Sequence, residues 1–197
     1  MQVKGHVRGL IELILTIAVA IGLAFAVQAW VVKPYKIPSA SMEPTLAEGQ
    51  RVLVNRLSDS PQVGQIAVFH PPAGAEEEVC GRAHPSSAPC DWPQSAQSSQ
   101  TFIKRIVAGP GDVITIRNGH VIRNGQPEAD SYIRPCVAEQ PDCSYPTPIR
   151  IPRGMWFMMG DNRGDSDDSR YWGPVPSSWI IGDAFFTYWP PDRIGTL

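Results

Sequence analysis

The pattern of apolar and polar positions divides the chain into one long apolar run and a series of short alternating segments. No charged residue occurs over the twenty positions 13–32. A helix of that length spans ~30 Å, the thickness of the hydrocarbon core of a bilayer. The run therefore predicts a membrane anchor over residues 10–32. A cleavable secretory signal is the alternative, although its apolar part is usually only ~7–15 residues long.

After this run, short segments rich in β-branched and aromatic residues are separated by turns containing Pro, Gly, Asn and Ser. The predicted strands cover residues 51–57, 64–69, 101–108, 112–117, 120–123, 155–159 and 184–189. Asn118-Gly119 predicts a type I′ hairpin between two of them. Because no segment after the run keeps a helical period over three turns, the pattern predicts a mainly β, antiparallel fold. Residues 70–100 and 130–150 are interpreted as insertions in it.

Composition narrows the class of protein. About 160 residues remain beyond the anchor, enough for one domain with a core of its own. The formal net charge of −2 favours neither a nucleic-acid binder nor an acidic tail. The four cysteines lack zinc-site spacing, and pairing as Cys80–Cys90 and Cys136–Cys143 is the simplest of three connectivities. Disulfides would place this part outside the cytoplasm; four reduced thiols are the alternative.

The segment Ile37–Leu46, with the sequence IPSASMEPTL, carries the first candidate chemistry. Ser39 and Ser41 lie between Pro38 and Pro44, and the prolines predict a stiff, extended or turning segment. Alternate side chains of an extended segment share a face, so both hydroxyls could point into one site. Serines beside prolines most often form simple turns, and a serine nucleophile needs an activating base.

Lys104 is the candidate base. It lies inside the predicted strand TFIKRIVA, where its neighbours on the same face are Phe102 and Ile106. Apolar surroundings disfavour the charged amine and lower its pKa. A neutral amine could then accept the proton of the Ser41 hydroxyl. A lysine that simply faces water is the alternative.

The polar segment Gly160–Gly173, with the sequence GDNRGDSDDSRYWG, follows directly after the apolar residues MWFMM. One interpretation is a loop in which Ser166 contacts the strand lysine and Asp168 pairs with Arg170. The other is a solvated turn cluster. A calcium loop is disfavoured because Arg163 occupies a position where a carboxylate is needed.

Taken together and in this order, the anchor, IPSASMEPTL, FIKRIVAGPGD and FMMGDNRGDSDDSRYWGPVP resemble the bacterial type I signal peptidases. These leader peptidases are membrane-bound serine proteases that remove signal sequences from exported proteins, cutting after small residues. The resemblance implies that Ser41 is the nucleophile and Lys104 the general base. It also implies that Ser39 completes an oxyanion hole with the Ser41 backbone N–H. Supporting roles fall to Ser166, Asp168 and Arg170.

The resemblance also implies an organisation. Residues 1–9 would be a short cytoplasmic N-terminus, 10–32 a single transmembrane helix and 33–197 an extracytoplasmic catalytic domain of two antiparallel sheets. Phe102 and Ile103 would line the substrate groove. The expected partners are precursor proteins that carry signal peptides and the lipid bilayer. No nucleic acid, metal or cofactor is expected, and the protein is expected to be a monomer.

Several positions depart from the family pattern. Ala40 stands where glycine is most usual, Gly164-Asp165 where Asp-Asn is common, and Asp183 where a basic residue is frequent. Three other functions stay open. A Ser-His-Asp triad would have to use His70. The self-cleaving repressor proteases share the serine–lysine pair but need a DNA-binding domain. A non-enzymatic anchored β module is the third.

Overall fold

The computed structural model describes residues 3–57, 60–77, 79–137 and 140–197 and, within the first helix, the side chains of residues 9–25. Residues 26–30 of the predicted anchor and residues 1–8 of the predicted N-terminal segment therefore lie outside the described side chains. Helix α1 runs from Val3 to Trp30. Within the described residues, no helix combines the length and the apolar character that a membrane crossing needs.

Twelve short strands and one further α-helix follow α1 in the described chain. The strands are β1 (Val32–Lys36), β2 (Arg51–Asn55), β3 (Ile66–Phe69), β4 (Phe102–Ala108), β5 (Val113–Arg117), β6 (His120–Arg123), β7 (Gln126–Pro127), β8 (Tyr145–Arg150), β9 (Met155–Met159), β10 (Val175–Pro176), β11 (Ile180–Trp189) and β12 (Gly195–Thr196), and the helix is α2 (Ser169–Trp172).

The strands of the described residues form two sheets. The larger has eight strands in the order β1-β2-β11-β3-β4-β9-β10, with β12 also paired to β11; the smaller has the order β7-β6-β5-β8. Neighbouring strands in both sheets are antiparallel. The predicted mainly β fold with two antiparallel sheets is therefore confirmed.

The predicted strands are present, and the sequence prediction missed five others: β1 and β8, and the two-residue strands β7, β10 and β12. Asn118 and Gly119 have φ angles of 49° and 81°, which confirms the type I′ hairpin because both central residues of that turn need positive φ. Strand β1 begins at the last residue of the predicted anchor, where no strand is predicted, and β8 lies within the second predicted insertion. Both contain proline and both lie at the edge of a sheet, where a missing N–H is tolerated.

Three apolar clusters hold these elements together. The first packs the small sheet against the large one, the second lies beneath the serine segment, and the third packs α2 on the large sheet. Representative buried members are Val107, Ile114, Ile116 and Phe157 in the first cluster, Met42, Leu46, Val54 and Ile103 in the second, and Phe69, Ile106, Met158 and Trp172 in the third.

Two disulfides close short loops outside the sheets. They join Cys80 to Cys90 and Cys136 to Cys143, across sequence separations of 10 and 7. The pairing predicted as the simplest of the three connectivities is therefore the one formed. The first loop lies between β3 and β4, the second between β7 and β8.

Candidate active site

The serine segment forms a tight turn on the core. Its 3₁₀ turn Ala40–Met42 continues into a hydrogen bond from the Leu46 N–H to the Met42 carbonyl (2.9 Å). Met42 and Leu46 are fully buried, so their side chains fix the turn to the sheet. Ser41 is 8% exposed, and its Oγ lies 3.2 Å from Ser39 Oγ. The two hydroxyls thus point toward each other.

Lys104 lies on β4 and is only 4% exposed, so it does not face water. Its Nζ lies 5.8 Å from the ring centroid of Phe102 and donates a hydrogen bond to Ser166 Oγ (3.0 Å). Burial lowers the pKa of Lys104 to about 8, although nearby carboxylates, led by Asp168, favour its charged form. Burial is the larger effect because it removes water from the ammonium group.

The serine turn, the lysine and the polar loop meet at one cavity. Its volume is about 350 Å³, and its lining includes Ser39, Ser41, Lys104 and Ser166. In the described part of the chain, Ser41 Oγ is paired with Ser39 and Lys104 Nζ with Ser166, and no direct hydrogen bond joins Ser41 to Lys104. Hydrogen bonds between catalytic groups are often long in free enzymes and shorten when substrate binds.

A buried ion pair supports Ser166. Asp168 accepts hydrogen bonds from Arg170 Nε (2.8 Å) and Nη2 (2.9 Å), and also from the Gly160 N–H (3.0 Å). Arg170 Nη2 in turn donates to the Ser166 carbonyl (3.2 Å). Burial alone would raise the pKa of Asp168, but the charge and hydrogen bonds of Arg170 hold it below its ordinary value. The pair therefore stays ionised and fixes the main chain at Ser166.

Asn162 binds the back of the serine turn, a role that sequence reasoning missed. Its N–H donates to the Ser41 carbonyl (3.1 Å), and its Nδ2 donates to the Ala40 carbonyl (3.2 Å). These bonds set the orientation of the turn relative to the loop. Asn162 lies three positions after β9, and no local sequence signal distinguishes it from an amide in a solvated turn.

Asp161 joins the serine segment to β4, and sequence reasoning missed this too. Its carboxylate accepts two hydrogen bonds from Arg105, from Nε (2.8 Å) and Nη2 (2.6 Å), and one from Thr45 Oγ1 (2.5 Å). The Asp161 side chain is fully buried. Because Arg105 follows the strand lysine directly, this contact fixes the position of the lysine strand against the serine turn.

Gly160 fills the remaining space between the turn and the loop. A Cβ atom at this position would overlap Ser166 Oγ and the Ser41 carbonyl oxygen. The close approach of the two segments therefore depends on the absence of a side chain here.

A second cavity continues the first along the start of β4. Its volume is about 400 Å³, and Phe102 and Ile103 line both cavities together with Pro38. Tyr35 and Val68 lie in its lining as well. The two cavities thus form a groove that runs from the serine turn along the strand.

Other candidate chemistries lie elsewhere. His70 Nδ1 is hydrogen-bonded to the Gln100 carbonyl (2.7 Å), and His70 is not among the residues that line the serine cavity. Within the residues described, no group of three or more His, Cys, Asp or Glu side chains is arranged to hold a metal ion.

Comparison with known proteins identifies the family of the chain. Residues 10–189 match the family model described as signal peptidase, peptidase S26. A protein named probable signal peptidase I-1 from Synechocystis is 40% identical over 91% of this chain and 82% of its own length. Signal peptidase I of Leptolyngbya laminosa is 34% identical over 95% of this chain and 84% of its own. Thylakoidal processing peptidase 1 of Arabidopsis thaliana is 33% identical over 90% of this chain but only 47% of its own. The chain therefore belongs to the signal peptidase family, peptidase S26.

Proposed function

We propose that this chain is a serine endopeptidase that removes N-terminal signal peptides from exported proteins, with Ser41 as nucleophile and Lys104 as general base. The observation that carries the proposal is the shared cavity, into which both side chains open while the lysine is almost completely buried. The relatives named signal peptidase I support the substrate class.

The proposed reaction uses groups of the chain alone. A neutral Lys104 donates a hydrogen bond to Ser166 and keeps a lone pair for the Ser41 proton. Ser41 Oγ attacks the scissile carbonyl as its proton moves to Lys104 Nζ, and the lysine then protonates the leaving amine. Water that gives its proton to the same amine hydrolyses the acyl-enzyme. Ser39 and the Ser41 N–H would stabilise the oxyanion.

The substrate would bind as an added strand. Strand β4 pairs with β3 from Phe102 to Arg105, whereas its register with β9 begins only at Arg105. The β4 edge at residues 102–104 that faces the groove is therefore free in the described sheet, and an extended peptide could pair with it. Phe102 and Ile103 line the groove there, which favours small side chains before the cut.

We further propose that residues 10–32 form a single membrane anchor, with residues 1–9 in the cytoplasm and 33–197 on the extracytoplasmic side. The uncharged run at positions 13–32 supports the anchor, and the two disulfides support an oxidising compartment. Nine residues from Val32 reach at most ~30 Å when extended, so Ser41 would work close to the bilayer surface. The enzyme is proposed to act as a monomer without metal or cofactor.

The test incubates the detergent-solubilised full chain with a precursor that carries a signal peptide. Ser41→Ala and Lys104→Ala are each expected to abolish cleavage, while Ser60→Ala, at an exposed loop serine, retains it. Circular dichroism checks that each variant is folded. Full cleavage by a folded Ser41→Ala or Lys104→Ala protein would overturn the mechanism, and binding without cleavage by the wild type would favour the non-enzymatic module.

A further inference from the structure

The second disulfide-closed loop, residues 136–143, and Arg134 just before it are hydrogen-bonded to the loop that carries Ser166. The Arg134 N–H donates to the Asp161 carbonyl (2.8 Å), and the Arg163 N–H donates to the Arg134 carbonyl (2.9 Å). Gln140 Nε2 donates to the Gly164 carbonyl (2.7 Å). These bonds are made to the main chain, so they fix the path of residues 161–164 whatever the side chains there do.

Arg170 is held by both disulfide-closed loops. Its Nη1 donates to the Asp142 carbonyl (3.2 Å), inside the loop closed by Cys136–Cys143. Its carbonyl accepts a hydrogen bond from the Cys90 N–H (2.9 Å), at one end of the loop closed by Cys80–Cys90. The side chain and the main chain of the same arginine are therefore fixed from two directions.

The first loop packs on α2 without space between them. A Cβ atom at Gly173, the residue that ends α2, would overlap the Trp92 carbonyl oxygen and lie 3.1 Å from Cys90 Sγ. Cys90 is fully buried. The first loop and α2 therefore form a buried, closely packed contact.

We propose that the two disulfide-closed loops are positioning elements of the active site, which act through Arg170 on Ser166 and thereby on Lys104. This inference rests on the proposed serine–lysine mechanism. Each disulfide restricts a short loop whose main-chain groups bond to Arg170 or its neighbours, and an opened loop gains conformational freedom. Arg170 would then lose fixed partners, the Ser166 carbonyl would lose its donor, and the amine would no longer be aimed at the nucleophile.

The contribution of the two loops should differ. The loop closed by Cys136–Cys143 bonds to Gly164 through Gln140 and to Arg170 through the Asp142 carbonyl. The loop closed by Cys80–Cys90 bonds to Arg170 through one main-chain hydrogen bond. Loss of the Cys136–Cys143 disulfide should therefore reduce kcat more than loss of Cys80–Cys90.

The first experiment reduces the folded wild type with dithiothreitol. Each protein disulfide takes two electrons and two protons from the dithiol, which becomes a cyclic disulfide, and the thiols formed are counted by mass spectrometry after alkylation. We expect kcat for precursor cleavage to fall about tenfold or more while KM changes by less than about twofold, because positioning affects the chemical step. Fully reduced, folded protein with unchanged kcat would overturn the proposal.

Paired variants give the matched comparison. Cys136→Ser with Cys143→Ser is expected to lower kcat more than Cys80→Ser with Cys90→Ser, and dithiothreitol should have no further effect when all four are replaced. If reduction or replacement unfolds the chain, the Gln140→Ala variant, which keeps both disulfides, tests the proposal instead. A lowered kcat in this variant supports the positioning role of the loop, and an unchanged kcat contradicts it. Cleavage by Ser41→Ala would instead refute the proposed function on which the inference rests.

Discussion

Lys104 Nζ and Ser166 Oγ are joined by a 3.0 Å hydrogen bond, although 62 positions separate them in the sequence. The bond links a strand of the large sheet to the polar loop that follows β9. Burial makes the amine able to accept a proton near neutral pH, since it lowers the pKa of Lys104 to about 8. The hydrogen bond to Ser166 governs a separate property, the direction in which the amine lone pair points.

The pH dependence of cleavage should follow the lysine. Below its folded pKa of about 8 the amine is protonated and cannot accept the Ser41 proton. We expect kcat/KM to fall about tenfold for each pH unit below that value and to level off above it. Precursor binding to Ser41→Ala, measured over the same pH range, controls for effects on affinity. A flat kcat/KM between about pH 6 and about pH 9 would contradict a titrating amine.

Replacing the buried lysine should stabilise the fold. The pKa of Lys104 is lowered from 10.5 in the unfolded chain to about 8, so the folded state binds fewer protons between these values and wild-type stability rises with pH across that window. At pH 7 the folded state carries a buried charge. Lys104→Met should therefore raise the free energy of unfolding by ~1–3 kcal/mol in denaturant titrations. Lys36→Met, at an exposed lysine, should change it by less than ~0.5 kcal/mol.

Removal of the Ser166 hydroxyl should affect the chemical step. In Ser166→Ala the amine loses the acceptor that orients it, while the groove residues are untouched. We expect kcat to fall by about 10- to 100-fold with KM nearly unchanged, measured by steady-state cleavage of a precursor peptide. An equal rise in KM with constant kcat would indicate that Ser166 contributes to substrate binding instead.

A methyl group at Gly160 should separate the two halves of the site. Because its Cβ would overlap Ser166 Oγ and the Ser41 carbonyl, Gly160→Ala should lower kcat/KM by about a hundredfold. Gly195→Ala is the control, because a Cβ atom there would meet nothing within 4 Å. Equal activity losses in the two variants would contradict the role assigned to the close contact at Gly160.

Loss of the Asp161 carboxylate should be costly for stability. Asp161→Ala would leave the Arg105 guanidinium, whose side chain is 11% exposed, without its buried partner. Breaking such a pair typically costs ~3–5 kcal/mol, and thermal or denaturant unfolding would measure it. Asp91→Ala breaks the exposed ion pair with Arg82 and should cost less than ~1 kcal/mol. Similar losses in both variants would contradict the structural role assigned to Asp161.

The local sequence pattern predicted those structural features that depend on neighbouring residues in the chain. The alternation in FIKRIV predicted that Lys104 shares a face with Phe102 and Ile106, and the lysine is indeed buried. The same approach failed for β1 and β8, because prolines in VKPYK and YPTPIR lower strand propensity without excluding an edge position. It also failed for α2, whose single turn is too short to show a helical period.

Contacts between distant segments could not be predicted in this way. Asp161 bonds to Thr45 across 116 positions and Asn162 to Ala40 across 122. Nothing in the local composition of GDN distinguishes a residue that binds the serine turn from one in a solvated turn, because the difference depends on which segments the sheet brings together. The sequence motif located the polar segment, but its hydrogen-bond partners could be identified only from the fold.

The free edge of β4 beside the groove has a consequence for selectivity. A peptide that pairs there is recognised mainly through its N–H and C=O groups, which every sequence presents alike. Side chains of an extended peptide alternate in direction. The wall formed by Phe102 and Ile103 would therefore contact only every second side chain of the peptide and would select for small ones. On the proposed mechanism, such a site would accept many precursors that share no sequence beyond two small residues near the scissile bond.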